Sequence, residues 1–257
     1  MKRSRLPAVV TTLCLLFLYL PIVILVVNSF NGSRFGSVWG GFSLHWYKQL
    51  FSNRSIWFAL RNTLLIGVGS TLFSMFLGTL AAWALNRYRS HLQDIHYALV
   101  YTPLVVPDIL IGISLLLFFV AIRMPLGLFT IFVAHTTFCV SYVAMVVLAR
   151  LQDFDFSVIE AAQDLGANWR SIVLRVILPQ LAPGILAGGM LAFTLSIDDF
   201  VITFFVAGPG STTLPVQIYS MIKHGSPPMI NALSTILLCL TFLIVAVSRR
   251  LGGKQTM

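Results

Sequence analysis

Apolar residues in this 257-residue chain are gathered into six long runs separated by short polar segments. The runs cover residues 8–28, 62–85, 97–120, 128–149, 184–207 and 229–248. Each is close to the ~20 residues that a helix needs to cross the hydrocarbon core of a bilayer. The pattern predicts an all-α, polytopic membrane protein with six transmembrane helices. Since no segment between the runs is large enough to fold separately, we expect residues 1–257 to form a single transmembrane domain.

Composition agrees with a chain surrounded by membrane lipid. Hydrophobic residues make up 58% of the sequence and charged residues 10%, and the mean hydropathy is +0.90, whereas a soluble domain carries about a quarter charged residues. A net charge of +9 can indicate a protein that binds nucleic acid. Because no basic patch is concentrated on one element, no nucleic-acid partner is expected. Three cysteines stand singly inside apolar runs and are interpreted as packing residues: Cys14, Cys139 and Cys239.

The distribution of basic residues predicts the orientation of the chain. With six spans both termini lie on one side, and eleven of the 17 Lys and Arg residues fall on that side: Lys2, Arg3, Arg5, Arg87, Arg89, Arg150, Arg170, Arg175, Arg249, Arg250 and Lys254. Positive charge gathers in cytoplasmic loops, so both termini are expected in the cytoplasm. The first apolar run is interpreted as a signal anchor, because it is long enough to span and no small-residue cleavage site follows it.

The longest polar loop, residues 150–180, has a helix–turn–helix pattern. Apolar positions repeat at helical spacing over 157–165, with Ser157 as a candidate N-cap. Gly166 stands where a helix ends in the left-handed region, and Asn168 can cap a second helix, which Pro179 is expected to stop. Such a loop on the membrane surface is suited to transmitting force to a soluble partner. The alternative is an interfacial amphipathic helix without a partner.

The residues of this loop resemble the EAA signature of bacterial ABC-importer permeases: Glu160, Ala161, Ala162, Gly166, Leu178 and Pro179. Val176 departs mildly, since isoleucine is usual there. The resemblance implies the type I importer-permease fold, with this loop as the coupling helix that docks into a groove of the ATPase subunit. Small alanine side chains suit that role, because they let a helix approach a partner closely.

Three of the eight acidic residues fall inside predicted spans, namely Asp108, Asp198 and Asp199. An aspartate at the bilayer centre costs about 2.5–3.5 kcal/mol on insertion scales, so such residues usually face a cavity or a partner. Helical rise places Asp108 and Asp198 at a similar depth, near mid-membrane. Two carboxylates at one level predict a pathway that attracts cations. The alternative is structural pairing with a basic group or backbone donor, for which no Lys or Arg lies at comparable depth.

The surroundings of these acids differ. Pro103 and Pro107 precede Asp108, so a bend is expected that leaves Asp108 at the start of a half-helix, where the dipole favours a carboxylate. Asp198 and Asp199 are adjacent and therefore point about 100° apart on a helix. Asp198 is favoured as the acid that faces the pathway, with the choice between the two left open.

Other polar and small residues have simpler interpretations. His135, in the fourth run, is predicted to be a hydrogen-bonded packing residue rather than a metal ligand. Glycines in the second run are expected to allow close helix packing, and Leu44–Phe51 is expected to form a short external helix. After a break at residues 207–210, residues 211–222 predict an external gate helix or a surface turn. Tyr219 on it could stack on an ammonium group, or act as an interface residue.

Longer motifs resemble the permeases of spermidine/putrescine importers. They are YLPIVILVVNSFN at Tyr19–Asn31, VPDIL at Val106–Leu110, FTLSIDDFV at Phe193–Val201 and GPGSTTLP at Gly208–Pro215. The resemblance covers nearly the whole chain and implies a multi-pass subunit of the bacterial inner membrane that works by ATP-driven alternating access. It also implies three kinds of partner: a second related permease, two ATPase subunits and a periplasmic polyamine-binding protein.

The chain itself is expected to be neither an enzyme nor a cofactor protein. It has no G-x-x-x-x-G-K-[ST] loop, so ATP is expected to bind to another chain. One alternative within the same class is an ABC-importer permease for another cation or small solute. An alternative from another class is an ion-coupled secondary carrier, which lacks the usual inverted repeat here and leaves the loop at 150–180 without a purpose.

Overall fold

The computed structural model of the chain describes residues 6–34, 38–88, 91–225 and 227–252. Over these ranges the chain is helical, apart from loops and an isolated bridge between Asn31 and Phe42. The helices are α1 (Leu6–Asn28), α2 (His45–Ser52), α3 (Arg54–Arg87), α4 (Gln93–Val105), α5 (Asp108–Ala121), α6 (Leu128–Gln152), α7 (Ser157–Asp164), α8 (Trp169–Ile172), α9 (Leu178–Asp198), α10 (Val201–Val206), α11 (Leu214–Lys223) and α12 (Pro227–Gly252). The prediction of an all-α fold is confirmed.

The chain divides into two units, Met1–Trp57 with Ile218–Met257, and Phe58–Gln217. In the first unit α12 packs against α1 and α2. The loop before α2 is fixed by the side chain of Asn31, which donates to the carbonyl of Val38 at 2.9 Å and accepts from the N–H of Gly40 at 2.8 Å. The short helix expected at Leu44–Phe51 is present as α2, one residue later, and its external position stays a prediction.

The second unit is built around α6, whose side chains Ile131, Ala134, Cys139, Val143 and Val147 are fully buried. Two glycines allow neighbouring helices to approach it. A Cβ on Gly78 of α3 would lie 2.8 Å from the Cβ of Val143, and one on Gly188 of α9 would lie 3.2 Å from the Cα of the same residue. Helices approach this closely in membranes where small residues line the contact. The prediction of close packing at Gly78 is confirmed.

The predicted spans correspond to the helices with two corrections. Among the described residues, four helical stretches are long and apolar enough to cross a membrane: Val9–Asn28, Arg54–Arg87, Leu128–Gln152 and Trp169–Asp198. A shorter apolar stretch, Pro228–Leu243, covers much of the sixth run, and the count of six spans stays a prediction. The third run, 97–120, is two helices rather than one continuous span, because α4 and α5 meet at 112°, which confirms the bend expected before Asp108. The bend lies at Val106–Pro107, since proline cannot donate the backbone hydrogen bond that would continue α4.

The fifth predicted span, 184–207, is wrong at both ends. Its helix begins earlier, because α8 passes through a π-helical turn at Val173–Ile177 directly into α9. Pro179 therefore does not stop the second loop helix. It lies in the first turn of α9, directly after the π-helical turn, and the helix continues through it. At the other end α9 stops at Asp198, and a separate helix, α10, covers only Val201–Val206.

The predicted orientation is based on eleven basic residues, of which five lie outside the described residues. These five are Lys2, Arg3, Arg5, Arg89 and Lys254. Residues 1–5, which precede the first apolar run and belong to the signal-anchor interpretation, lie outside them as well. The structure therefore leaves the orientation as a prediction.

Substitution of Gly78 tests the packing around α6. Gly78→Ala should lower the free energy of unfolding by about 1–3 kcal/mol, because the new methyl group has no room beside Val143. Gly69→Ala is the matched control on the same helix, since its Cβ would meet the ring of Phe132 at an ordinary 3.6 Å. Denaturant unfolding in detergent measures both variants. Equal stability of the Gly78→Ala and Gly69→Ala variants would contradict close packing of Gly78 against Val143.

Candidate functional site

A cavity of about 320 Å³ in the second unit brings together the three intramembrane acids predicted from the sequence. Asp108, Asp198 and Asp199 all line it, and aromatic rings of Phe138, Tyr142 and Phe200 contribute to its wall. The acids reach one place from different helices, because α5 begins with Asp108 and α9 ends with Asp198. The structure thus gathers carboxylates separated widely in sequence around a single space.

Asp108 owes its position to the break before α5. The last turn of α4 closes when the N–H of Val106 donates to the carbonyl of Thr102 at 3.0 Å, and Pro107 has no N–H to continue it. Asp108 is then the first residue of α5 and is exposed. A carboxylate there is favoured by the unsatisfied N–H groups and the dipole of a helix N-terminus. The predicted half-helix beginning at Asp108 is confirmed.

The two adjacent aspartates have different surroundings. Asp198 is exposed at the end of α9, whereas the side chain of Asp199 is only 8% exposed. Asp199 has extended backbone and caps α10. Its carboxylate accepts from the N–H of Ile202 at 3.3 Å, and from the N–H and hydroxyl of Thr203 at 2.8 Å each. Asp198 is therefore the acid of the pair that is open to the cavity.

His135 adds a partner for Asp199 that the sequence did not reveal. Its ring is buried, with Nδ1 2.7 Å from the hydroxyl of Ser196 and Nε2 2.9 Å from that of Thr203. Nε2 also lies 3.2 Å from a carboxylate oxygen of Asp199. The prediction of a hydrogen-bonded packing residue is confirmed. The sequence contains one sign of this contact: the hydroxyl residues Ser196 and Thr203 stand three residues before and four residues after Asp199.

Tyr219, the fourth residue predicted for the pathway, belongs to α11 and to the other unit of the chain. Its side chain is 45% exposed. The break before α11 is present, with Gly210 in the left-handed region at φ +75°. A cargo contact by Tyr219 and a gate role for α11 stay predictions.

The loop between α6 and α9 has much of the predicted local structure. Gly166 has φ +76°, and the N–H of Ala167 donates to the carbonyl of Ala162 at 3.0 Å, so the turn closes α7 as expected. Asn168 caps α8 by accepting from the N–H of Ser171 at 2.9 Å. Glu160, Ala161, Gly166 and Pro179 are exposed, and Ala162 is half-buried.

Ser157 is not the N-cap of α7, which corrects the prediction. It is the first residue of the helix, and the carboxylate of Asp155 accepts from its N–H at 2.9 Å. An aspartate two residues earlier can do this because its short side chain turns back to the backbone. Hydrogen bonds from the hydroxyl and N–H of Ser157 lower the pKa of Asp155 below its usual value.

Aromatic residues attach this loop to the end of α3. The rings of Phe154 and Phe156 have centroids 5.0 Å apart, and both contact Trp83. The guanidinium of Arg87 lies 5.7 Å from the ring centre of Phe156. A cavity of about 480 Å³ opens here, with Glu160 on its wall. The loop is thus packed against the end of α3 through these side chains.

Comparison with known proteins identifies the family. Residues 74–253 match the family of inner membrane components of binding-protein-dependent transport systems. The chain is 42% identical over 240 residues to the spermidine/putrescine transport system permease protein PotC of Escherichia coli K12, covering 93% of this chain and 91% of that protein. It is also 42% identical over 243 residues to the putrescine transport system permease protein PotI of the same strain, covering 92% and 86%.

Solved structures agree with this family at the level of fold. A chain of a bacterial ABC transporter involved in the import of the acidic polysaccharide alginate aligns with a TM-score of 0.74 and 15% identity, covering 100% of this chain and 99% of that one. A chain of the MetNI methionine ABC transporter, in an inward-facing conformation, aligns with a TM-score of 0.60 and 21% identity, covering 79% and 95%. The protein therefore belongs to the inner membrane permeases of binding-protein-dependent ABC importers, and within them to the family of the spermidine/putrescine and putrescine transport permeases.

Proposed function

We propose that this permease forms half of the translocation pathway of an ATP-driven polyamine importer. The observation that carries the proposal is the cavity lined by Asp108, Asp198 and Asp199. Polyamines carry several ammonium groups on a flexible apolar chain, so carboxylates and aromatic walls suit both parts of the molecule. The names of the relatives PotC and PotI point to the same class of cargo.

The three acids of the cavity have different roles in the proposed transport. Asp108 and Asp198 are exposed and act as transient counter-charges for successive ammonium groups. Asp199 supports them by capping α10. Apart from this cavity, Tyr219 on α11 offers a ring for cation–π contact with the cargo. Contacts of this kind are individually weak. That is an advantage, because a cargo held by one tight site would not leave it.

The partners follow from the family. An importer of this class combines this permease with a second, related permease, with ATPase subunits and with a periplasmic binding protein. In the proposed complex there are two ATPase subunits, which bind the ATP, and the binding protein delivers polyamine. Contact with the ATPase is made by the exposed face of α7 and its turn, where Glu160, Ala161 and Gly166 lie. Half-buried Ala162 and exposed Pro179 complete the proposed coupling residues of this loop.

The orientation completes the proposal. Both termini and the loop at 150–180 lie in the cytoplasm, and α2 lies on the periplasmic side of the inner membrane. The excess of Lys and Arg on the side of the termini supports this arrangement.

Neutralising one acid of the cavity tests whether its carboxylate assists the transport of a cationic cargo. Asp108→Asn should reduce polyamine uptake about tenfold, which corresponds to ~1.4 kcal/mol of lost charge interaction. Asp94→Asn is the matched control, since Asp94 also lies in the first turn of a helix, α4, but is not part of the cavity wall. ATP-dependent uptake by proteoliposomes with the whole complex, competed with putrescine, spermidine and unrelated cations, measures both. Unchanged uptake by Asp108→Asn in a fully assembled complex would contradict the proposal.

The turn at Gly166 tests the contact with the ATPase. Gly166→Val should decrease co-purification of the ATPase several-fold, because a β-branched residue strains a backbone at φ +76° and distorts the end of α7. Gly210→Val carries the same backbone strain at φ +75° in the loop before α11, and should leave co-purification unchanged. Equal ATPase recovery with both variants would show that the α7 turn does not make the contact.

Cysteine labelling tests the orientation. In a chain whose three cysteines are replaced by alanine, Gln163→Cys on α7 should react with a membrane-impermeant maleimide only after the inner membrane is opened. Ser52→Cys at the end of α2 should react in intact cells, since both positions are exposed. The reverse pattern would place the loop outside the cytoplasm and exclude contact with the ATPase.

A further inference from the structure

The connection between α1 and α2 carries an exposed apolar surface that the proposed transport pathway does not use. Its side chains are Val38, Trp39, Phe42 and Leu44, and each is at least 50% exposed. Apolar residues gathered in one exposed segment mark a surface that contacts another protein or a membrane. Residues 38–44 are called the apolar loop below.

The base of the apolar loop is closed by backbone hydrogen bonds and a stacked pair of rings. The N–H of Gly32 donates to the carbonyl of Gly41, and the N–H of Ser43 donates to that of Phe30, both at 2.8 Å. The rings of Phe30 and Phe42 are stacked, with their centroids 5.3 Å apart. The loop therefore has a defined shape that holds its apolar side chains in place.

The side chain of Asn31 supplies partners for the polar groups of this segment. It accepts from the N–H groups of Ser33 and Gly40 at 3.0 and 2.8 Å, and it donates to the carbonyl of Val38 at 2.9 Å. The indole N–H of Trp46 donates to the carbonyl of Asn31 at 2.8 Å. Backbone groups that have partners within the protein do not need water, so this segment leaves water at a lower cost.

The position of the apolar loop along the chain brings it to the edge of the hydrocarbon layer. The membrane-spanning stretch of α1, Val9–Asn28, has 20 residues and is about 30 Å long, which matches the hydrocarbon core of a bilayer. None of its side chains is buried within the described part of the chain. The base of the loop begins directly after Asn28, where the lipid-exposed helix leaves the hydrocarbon.

The charges around the apolar loop suit phospholipid headgroups. Residues 29–57 contain no Asp or Glu, and their basic residues, Arg34, Lys48 and Arg54, are exposed. Aromatic rings settle at the boundary between acyl chains and headgroups, while Lys and Arg extend their charged ends toward the polar side. The segment thus has both kinds of side chain that a lipid interface accommodates.

We propose that the apolar loop inserts into the lipid interface and anchors the α1–α2 connection to the bilayer. Trp39 and Phe42 enter the boundary between headgroups and acyl chains, and Asn31 makes this insertion possible by satisfying the backbone of the loop. The partner is the phospholipid surface. In the proposed orientation it belongs to the outer leaflet, but the lipid contact depends neither on that orientation nor on the cargo.

Spin labels test the lipid contact in the assembled complex without any cargo. A nitroxide is attached to Trp39→Cys or Phe42→Cys in a complex without other reactive cysteines, in bilayers of phosphatidylethanolamine and phosphatidylglycerol. Oxygen concentrates in lipid and a nickel chelate stays in water, so the ratio of oxygen to nickel accessibility reports the surroundings of each label. The ratio should be several-fold higher at both positions than at Gln49→Cys, an exposed polar position on α2.

Two results of this measurement would overturn the proposal. Equal ratios at Phe42 and Gln49 would place the loop in water. Low accessibility of the Phe42 label to both reagents would show that another protein chain covers the loop. Adding the periplasmic binding protein separates the two kinds of partner. A lipid contact keeps its high oxygen accessibility, whereas protection that appears only with the binding protein would assign the surface to that protein.

A variant of Asn31 tests how the loop is prepared for lipid. Asn31→Ala should lower the accessibility ratio at Phe42 several-fold, because the N–H of Gly40 and the carbonyl of Val38 then need water as their partner. Asn53→Ala is the matched control, since its side chain accepts from the N–H of Ser55 outside the loop, and it should leave the ratio unchanged. An unchanged ratio with Asn31→Ala would refute the role assigned to Asn31.

Discussion

A carboxylate within the thickness of a bilayer needs donors or counter-charges, and the structure of the second unit is arranged around supplying them. Hydrocarbon offers no hydrogen bonds, so backbone breaks at this depth are tolerated where they line a cavity or are buried in protein. Both breaks here meet that condition. One exposes the N–H groups that begin α5 beside Asp108, and the other gives Asp199 the N–H groups that begin α10. The breaks therefore provide N–H groups that stabilise the negative charge of the nearby acids.

The two half-helices that follow the breaks also pack on each other. A Cβ on Gly112 of α5 would lie 2.8 Å from the ring of Phe205 and 3.3 Å from the Cα of Ile202, both on α10. The helix starts that carry Asp108 and Asp199 are thus held as a pair, and α6 supports α10 from the other side through His135 and Thr203. Close contact of this kind fixes the positions of the two helix starts that carry these acids.

The sequence predicts those features that have a local cause. Pro107 marks the break before Asp108, and Gly166 and Asn168 mark the turn of the loop, because each residue acts through its own backbone or a short side chain. The break after Asp198 has no proline or glycine beside it. At this break Asp199 caps α10 and contacts His135, which is distant in sequence, so the local residue pattern favours a single helix over the fifth span. The prediction that Pro179 ends the second loop helix is wrong because the residue pattern does not reveal the π-helical turn that precedes it.

That π-helical turn has a mechanical consequence. From Trp169 to Asp198 the chain is one helical rod of 30 residues, or about 45 Å at the usual rise per residue. One end emerges beside the exposed surface of α7 and the other carries the carboxylate that faces the cavity. Pro179 and Pro183 remove two backbone donors from this rod, so its most easily bent part follows the π-helical turn. The π-helical turn is the least regular part of the rod, so it separates the loop end of the rod from the end that carries Asp198.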